Sequence, residues 1–186
     1  MMQPRVLLLD EPLSALDPFL RIKMRAELKR WHDELGMTFV HVTHSQEEAM
    51  ALADLVVVMN HGLIEQQGSA RDVFERPRTE FVARFIGAHN VIDTPAGRIA
   101  VRSDRSQLAP AEGGGLAVQV RAIEYQGASV QVHLSTPGAN DSADDDAPLA
   151  EWVATLPDHQ FHARPLEPGQ RVALRWDDKD AHPLQA

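Results

Sequence analysis

The chain of 186 residues contains no cysteine, a single tyrosine and no long hydrophobic run. Without cysteine it can form neither disulfide bonds nor thiolate metal sites, which is typical of proteins from a reducing compartment. A membrane-spanning helix needs about 18 consecutive apolar residues. The N-terminal stretch MMQPRVLLLDEP also lacks the basic start and the small-residue cleavage site of a signal peptide. We therefore expect a soluble, cytoplasmic protein.

Positive charge and aromatic side chains are scarce as well. Lysine and arginine number 18 against 27 aspartate and glutamate residues, which gives a formal net charge of -9, and aromatic residues make up only 5% of the chain. Proteins that bind nucleic acids need cations to pair with phosphates and aromatic rings on which bases stack. The composition therefore argues against an oligonucleotide binder, and we predict no nucleic-acid partner.

The hydrophobic pattern changes near Gly87. Before this point, short apolar strands alternate with helical stretches, which is the pattern of parallel βαβ units. After it, apolar residues alternate every second position in five segments that are separated by glycine, proline and acidic turns, which favours an all-β domain. We expect an α/β domain over residues 1–88, followed by an all-β domain over residues 89–186. The acid-rich stretch 136–148 is predicted to be a solvated, mobile loop.

Local signals define the first long helix, which is predicted over residues 18–35. Asp17 can cap its N-terminus, Pro18 suits the first helical position, and Gly36 suits a left-handed residue after the last turn. Apolar residues spaced by three or four positions predict one buried helix face. This predicted face contains Met24, Leu28, Trp31 and Leu35.

The most informative segment is LLLDEPLSALD, residues 7–17. Its apolar strand runs directly into Asp10 and Glu11, which places both carboxylates at the carboxyl end of the strand, where open parallel sheets bind ligands. Phosphoryl transfer to water needs one carboxylate near a magnesium ion and a second group that polarises the attacking water. Taken alone, the same pattern is also typical of an exposed acidic strand end without a function.

Together with TFVHVTHSQEEA, residues 38–49, this segment resembles the ATP-binding subunits of importer-type ABC transporters. The resemblance implies part of a P-loop NTPase core with a RecA-like fold. In that family Asp10 would help to hold magnesium through water, Glu11 would act as the general base, and His44 would hydrogen-bond the γ-phosphate of ATP. The family usually has aspartate where this chain has Ser45, and serine can still cap the helix that follows.

The resemblance also assigns a role to SALD, residues 14–17, as the loop in which Ser14 and Asp17 would contact the nucleotide site across a dimer. His41 lies three residues before His44 on a predicted strand, so the two side chains should face opposite sides and should not form a metal-binding pair.

The second half is similar to the TOBE domain, a small OB-like β-barrel that is appended to such ATPases. The similarity lies in VRSDRSQLA (101–109), VRAIEYQGASVQVHL (120–134) and PGQRVALRWDDKDAHPL (168–184). In relatives this domain packs against its counterpart, and in some it binds a regulatory ligand. If this domain binds a ligand, its pocket is expected to come from strands 116–135 and 170–176, and the acidic composition favours a polyamine or another cation.

The resemblance implies that the intact protein uses ATP and Mg²⁺ to drive uptake of a small solute across the cytoplasmic membrane. Its partners would be a second ATP-binding subunit in a homodimer, the transmembrane permease subunits and, indirectly, a solute-binding protein. It would lie on the inner face of the membrane, bound to the permease. The alternative is a regulatory or dimerisation module without catalytic activity that acts through the TOBE domain.

Two segments that such an ATPase needs do not occur among these 186 residues: a phosphate loop of the form GxxxxGK[ST] and an LSGGQ-type signature. We interpret the chain as the C-terminal portion of a longer subunit in which Met1 or Met2 is internal. In relatives the phosphate-loop strand lies between the strand before His44 and the strand predicted at 55–59. We therefore expect these two strands to have unpaired edges.

We predict that the 186-residue chain by itself binds Mg-ATP poorly and does not hydrolyse it measurably. The reason is that backbone amides and the lysine of a phosphate loop provide most of the grip on a nucleotide. Isothermal titration calorimetry and a phosphate-release assay check this prediction. A micromolar dissociation constant for Mg-ATP would contradict it.

Overall fold

A computed structural model describes residues 5–87, 89–138 and 151–185. The chain divides into two compact units, Met1–Phe74 and Glu75–Ala186. Most of the predicted acidic loop at 136–148, including Asp144 to Asp146, lies outside the described residues. None of the helices within the described ranges has both the length and the hydrophobicity that crossing a bilayer requires.

The first unit contains two separate strand pairs and three helices. Strands β1 and β2 pair in parallel, whereas β3 and β4 form an antiparallel hairpin. The elements are, in chain order, β1 (Val6–Asp10), α1 (Pro18–Leu35), β2 (Thr38–Val42), α2 (Gln46–Leu52), β3 (Val56–Asn60), β4 (Leu63–Gly68) and α3 (Ala70–Glu75). In the described part of the chain β2 pairs only with β1 and β3 only with β4, as expected from the sequence.

Local backbone features of this unit agree with the sequence signals. The carboxylate of Asp17 caps helix α1, and Gly36 follows its last turn with a left-handed φ of 60°. The hairpin between β3 and β4 turns at His61 and Gly62, whose φ angles are 47° and 81°. Positive φ at both positions matches the twist of a two-residue hairpin, which is why glycine occurs there. The predicted cap at Asp17 and the predicted left-handed residue at Gly36 are confirmed.

The predicted buried face of helix α1 is largely wrong. Of its four apolar residues only Leu28 is buried, while Trp31 is 40% and Leu35 is 59% exposed. The strand pair β1 and β2 also has exposed apolar side chains, since Leu8 on β1 is 73% exposed and Val42 on β2 is 56% exposed. A helical stripe predicts a buried face only if a neighbouring element covers it, and no described element covers most of this one.

The described residues of the second unit form eight strands in two sheets, together with two α-helices. One sheet has the order β10-β9-β8-β11-β7 and the other has the order β12-β6-β5. The elements are α4 (Glu80–Ile86), β5 (His89–Thr94), β6 (Gly97–Arg102), β7 (Gln107–Pro110), β8 (Leu116–Tyr125), β9 (Ser129–Ser135), β10 (Trp152–Pro157), α5 (Asp158–Ala163), β11 (Arg171–Arg175) and β12 (Ala181–Pro183).

The core of this unit lies between its two sheets. Ile92 and Val101 of the smaller sheet pack with fully buried residues of the larger one, among them Val118, Leu134 and Leu174. The sheets are also joined by hydrogen bonds. Buried Asn90 on β5 accepts a hydrogen bond from the backbone N–H of Val153 on β10 at 2.7 Å and donates one to the carbonyl of the same residue at 2.8 Å.

All five strand segments predicted after Gly87 are present, which gives the expected mostly-β second half. Three strands, β5, β7 and β12, and the short helix α5 did not stand out in the sequence. The boundary between the two compact units follows Phe74, earlier in the chain than the predicted domain boundary at 88/89. Ala83 of helix α4 also packs with Val91 of β5 and Ala100 of β6. The boundary at 88/89 therefore stays a prediction about the functional domains.

We predict that backbone amides of β1 and β2 exchange with solvent at least about tenfold faster than those of β8, β9 and β11. The first pair has exposed side chains and unpaired edges, whereas the second group surrounds a closed core, and amide protection follows burial and pairing. Hydrogen exchange measured by NMR on the full chain checks this within one sample. Equal protection of the two groups would contradict it.

Candidate functional site

Glu11 and His44 meet at the carboxyl ends of β1 and β2. The two strands are paired in register, with Asp10 opposite Val42, so the residues that follow them leave the sheet at the same edge. The Oε1 atom of Glu11 lies 3.0 Å from Nδ1 of His44. Both side chains are accessible, with 45% of Glu11 and 74% of His44 exposed. The structure therefore brings together the two residues that the sequence predicted as catalytic.

The backbone at Glu11 turns sharply. Its N–H donates a hydrogen bond of 2.8 Å to the carbonyl of Val42, which extends the pairing of β1 with β2 by one residue. Its φ of 44° is unusual for a residue with a side chain, and such conformations concentrate at functional sites. The turn is closed by Ser14, whose backbone N–H and hydroxyl both donate to the carbonyl of Glu11, at 3.2 and 2.9 Å.

The other predicted site residues have local structural roles in this structure. Asp10 is the last residue of β1 and its side chain is exposed at the same sheet edge. Asp17 Oδ1 accepts hydrogen bonds of 3.0 Å from the N–H groups of Phe19 and Leu20 and thereby caps helix α1. Their predicted contacts with a nucleotide or with magnesium remain predictions.

His41 and His44 have different surroundings. His41 is only 16% exposed, and its Nε2 lies 3.7 Å from the carboxylate of Glu48. Burial lowers the pKa of His41 below its ordinary value, and the nearby Glu48 carboxylate partly opposes this shift by raising it. His44 is paired with Glu11 instead. Within the described ranges no cluster of three or more histidine and acidic residues could hold a metal ion.

Sequence analysis missed a polar cluster behind His44. Glu48 on helix α2 is 97% buried, and one of its oxygens accepts a hydrogen bond of 2.8 Å from the hydroxyl of Thr43. That hydroxyl in turn accepts the N–H of Ser45 at 2.9 Å, while the Ser45 hydroxyl accepts the N–H of Glu48 at 3.4 Å. The pattern S-x-x-E of a capping box in SQEE is the signal that could have indicated Glu48.

The described cleft of the second unit lies away from the predicted pocket. It has a volume of about 460 Å³ and is bordered by charged and polar residues, among them Asp104, Arg105, Gln160, Arg164, Asp177 and Lys179. Only Val172 comes from the strands at 116–135 and 170–176, so this cleft is not the predicted pocket, whose location stays a prediction. Segments around the missed elements β7 and α5 form it instead, and the cleft carries charges of both signs.

The chain is similar to known proteins along nearly its whole length. A family model described as TOBE domain matches residues 99–184. The uncharacterized ABC transporter ATP-binding protein YdcT of Escherichia coli (strain K12) is 40% identical over 191 residues, which cover 98% of this chain and 54% of that protein. The chain thus spans about half the length of this relative.

Two further relatives match a shorter part of the chain. The spermidine/putrescine import ATP-binding protein PotA of Bacillus thuringiensis (strain Al Hakam) is 49% identical over 59% of this chain and 33% of its own length. Its namesake from Clostridium novyi (strain NT) is 52% identical over 49% of this chain and 26% of its own length. The cytoplasmic molybdate-binding protein ModG is 15% identical over 45% of this chain and 57% of its own, with a TM-score of 0.35, too low to support an inference.

We predict that Asp17→Ala removes the protection of the Phe19 and Leu20 amides and destabilises helix α1 by about 0.5–2 kcal/mol, because the two N–H groups lose their acceptor. Asp17→Asn should keep most of the protection, since asparagine also caps helices. Amide exchange measured by NMR distinguishes the variants, with Asp33→Ala in the last turn as the control. Unchanged exchange in Asp17→Ala would show that the cap contributes nothing.

Proposed function

Because the chain belongs to the ABC transporter ATP-binding proteins that carry a C-terminal TOBE domain, we propose that it forms part of the subunit whose ATP hydrolysis drives an importer. The strand that ends at Asp10 and Glu11 would be the Walker B motif and His44 the switch histidine. With the SALD loop, they would lie in residues 1–88 as part of a RecA-like P-loop NTPase core. Residues 89–186 would be the OB-like TOBE domain.

The observation that carries this proposal is the contact between Glu11 and His44 at the carboxyl ends of two paired parallel strands. In the proposed mechanism the carboxylate of Glu11 accepts a proton from the attacking water, which makes the water a better nucleophile. His44, on the adjoining strand end, donates a hydrogen bond to the γ-phosphate and orients it. Both side chains are exposed and can reach a ligand at this edge of the sheet.

The chemistry of the residues fits ATP and Mg²⁺ as cofactors. Magnesium prefers oxygen ligands and keeps several waters, so the exposed carboxylate of Asp10 at the strand end is a suitable partner through water. When bound, the ion would neutralise charge on the phosphates. The phosphate loop that would bind the phosphates of ATP does not occur in this sequence. The residues present therefore fit only the part of the site that activates the attacking water.

We propose partners and a location on the same basis. A second ATP-binding subunit would complete the site, with Ser14 and Asp17 contacting it across a homodimer. Permease subunits would hold this assembly at the cytoplasmic face of the membrane, and a solute-binding protein would deliver the solute on the opposite face. A purely regulatory module is not favoured, since a relative named as an ATP-binding protein matches 98% of the chain.

A polyamine of the spermidine and putrescine class is our proposed solute. The support is that relatives 49% and 52% identical over their matched segments are named for import of these molecules. The solute would pass through the permease and would not touch residues of this chain.

Deletion of the gene that contains the chain should abolish uptake of labelled spermidine, and uptake that persists unchanged would contradict the choice of solute.

We predict that Glu11→Gln, made in the intact subunit that contains this chain, lowers ATP turnover about 10²–10⁴-fold, because it removes the general base, while ATP binding remains. Phosphate release and nucleotide titration measure the two effects separately. Glu34→Gln, an exposed carboxylate at the end of helix α1, is the matched control and should leave both unchanged. Loss of binding with turnover reduced only in proportion would count against the assignment.

A further inference from the structure

Helix α1 and helix α2 are joined by a charged contact behind the candidate site. Nε of Arg21, in the first turns of α1, lies 3.8 Å from Oε1 of Glu48 on α2. Nη2 of the same arginine donates a hydrogen bond of 3.0 Å to the backbone carbonyl of Leu16, which belongs to the SALD loop. One guanidinium therefore contacts both this loop and the buried carboxylate.

The second oxygen of Glu48 faces the segment of His44. Its Oε2 accepts the hydroxyl proton of Thr43, and Thr43 Oγ1 accepts the N–H of Ser45. These two residues flank His44 on either side. The position of the histidine backbone is thus fixed by hydrogen bonds that end at one carboxylate.

From these contacts we propose that Glu48 is a positioning residue that couples the SALD loop, residues 14–17, to the turn of His44, residues 43–45. Oε1 lies near Arg21, which contacts the loop through the carbonyl of Leu16. Oε2 accepts the hydroxyl proton of Thr43 and also lies 3.7 Å from Nε2 of His41. A displacement of either segment changes the distance of its partner group from the same buried anion. The two segments therefore shift together.

Burial gives this contact its strength. Glu48 is 97% buried while Arg21 is one-third exposed, and a buried carboxylate that loses a partner is costly because water cannot replace it. The neighbouring pair on the same two helices is different. Glu47 is 81% exposed, and its Oε2 lies 3.7 Å from Nη1 of Arg25. An ion pair with so exposed a carboxylate contributes little, so Glu47 provides the matched control for Glu48.

The purpose of this coupling rests on the proposed function, in which the SALD loop contacts a partner subunit and His44 contacts the γ-phosphate. Coupling the two segments would make contact with the partner subunit depend on contact with the γ-phosphate, and the reverse. The coupling itself can be measured without nucleotide. If no coupling is measured, Glu48 does not have this role and the ATPase proposal is unaffected. If the ATPase proposal fails, the measured coupling between the two segments still stands.

The experiment uses NMR of the full chain. Each variant removes a contact on one side of Glu48, and the amide signals of the segment on its other side are measured. Thr43→Val removes the hydroxyl on the histidine side and should accelerate exchange of the Ser45 amide about tenfold, the loss of one ordinary hydrogen bond. If Glu48 couples the segments, this variant also shifts the amide signals of residues 14–17. Arg21→Gln, on the loop side, should conversely shift the signals of residues 43–45.

Glu48→Gln keeps the shape of the side chain and removes its charge. In this background the cross-effects of Thr43→Val and Arg21→Gln should be lost, and the pKa of His41 should fall because the carboxylate that raises it is gone. Glu47→Gln, which changes an exposed carboxylate on the same helix, should change neither segment. The proposal is overturned if Thr43→Val leaves residues 14–17 unchanged, or if the cross-effects persist in Glu48→Gln. Should Glu48→Gln fail to fold, the two single variants still decide the question.

Discussion

The parallel pairing of β1 with β2 is the constraint on which the candidate site depends. It aligns Leu9 with His41 and Asp10 with Val42, and the N–H of Glu11 adds one more hydrogen bond to Val42. Because side chains alternate along a strand, a shift of one residue in this register would exchange the faces of every side chain on β1. The contact between Glu11 and His44 exists only in the observed register. Everything proposed for catalysis at this edge follows from that alignment.

The two units of the chain satisfy hydrophobic burial to different degrees. In the second unit, two sheets enclose valines and leucines that are almost fully buried, and Asn90 satisfies backbone groups of the facing sheet. In the first unit, apolar residues on both β1 and β2 are exposed. Exposed apolar strands with open edges are typical of surfaces that another segment or chain covers.

The polar cluster around Glu48 joins segments of the first unit through one buried carboxylate. A buried carboxylate must be satisfied by hydrogen bonds or cations, and here Thr43 and Arg21 supply them from different segments. In the functional proposal the SALD loop, which Arg21 contacts through the carbonyl of Leu16, would contact a second subunit, and His44, next to Thr43, would contact the γ-phosphate. The same electrostatic requirement that keeps Glu48 partnered thus links two parts of the site that are distant in sequence.

The sequence by itself determined the features that depend on neighbouring residues: the ends of helix α1 at Asp17 and Gly36, the hairpin at His61 and Gly62, the serine cap of α2, and the carboxylates at a strand end. Capping, positive φ and alternation act over a few residues, so they can be read from a short window. Tertiary structure alone decided that Trp31 and Leu35 are exposed, that Glu48 is buried beside Thr43 and Arg21, and that the cleft forms near β7 and α5. Burial depends on which elements pack against a residue, and segments far apart in the chain settle that.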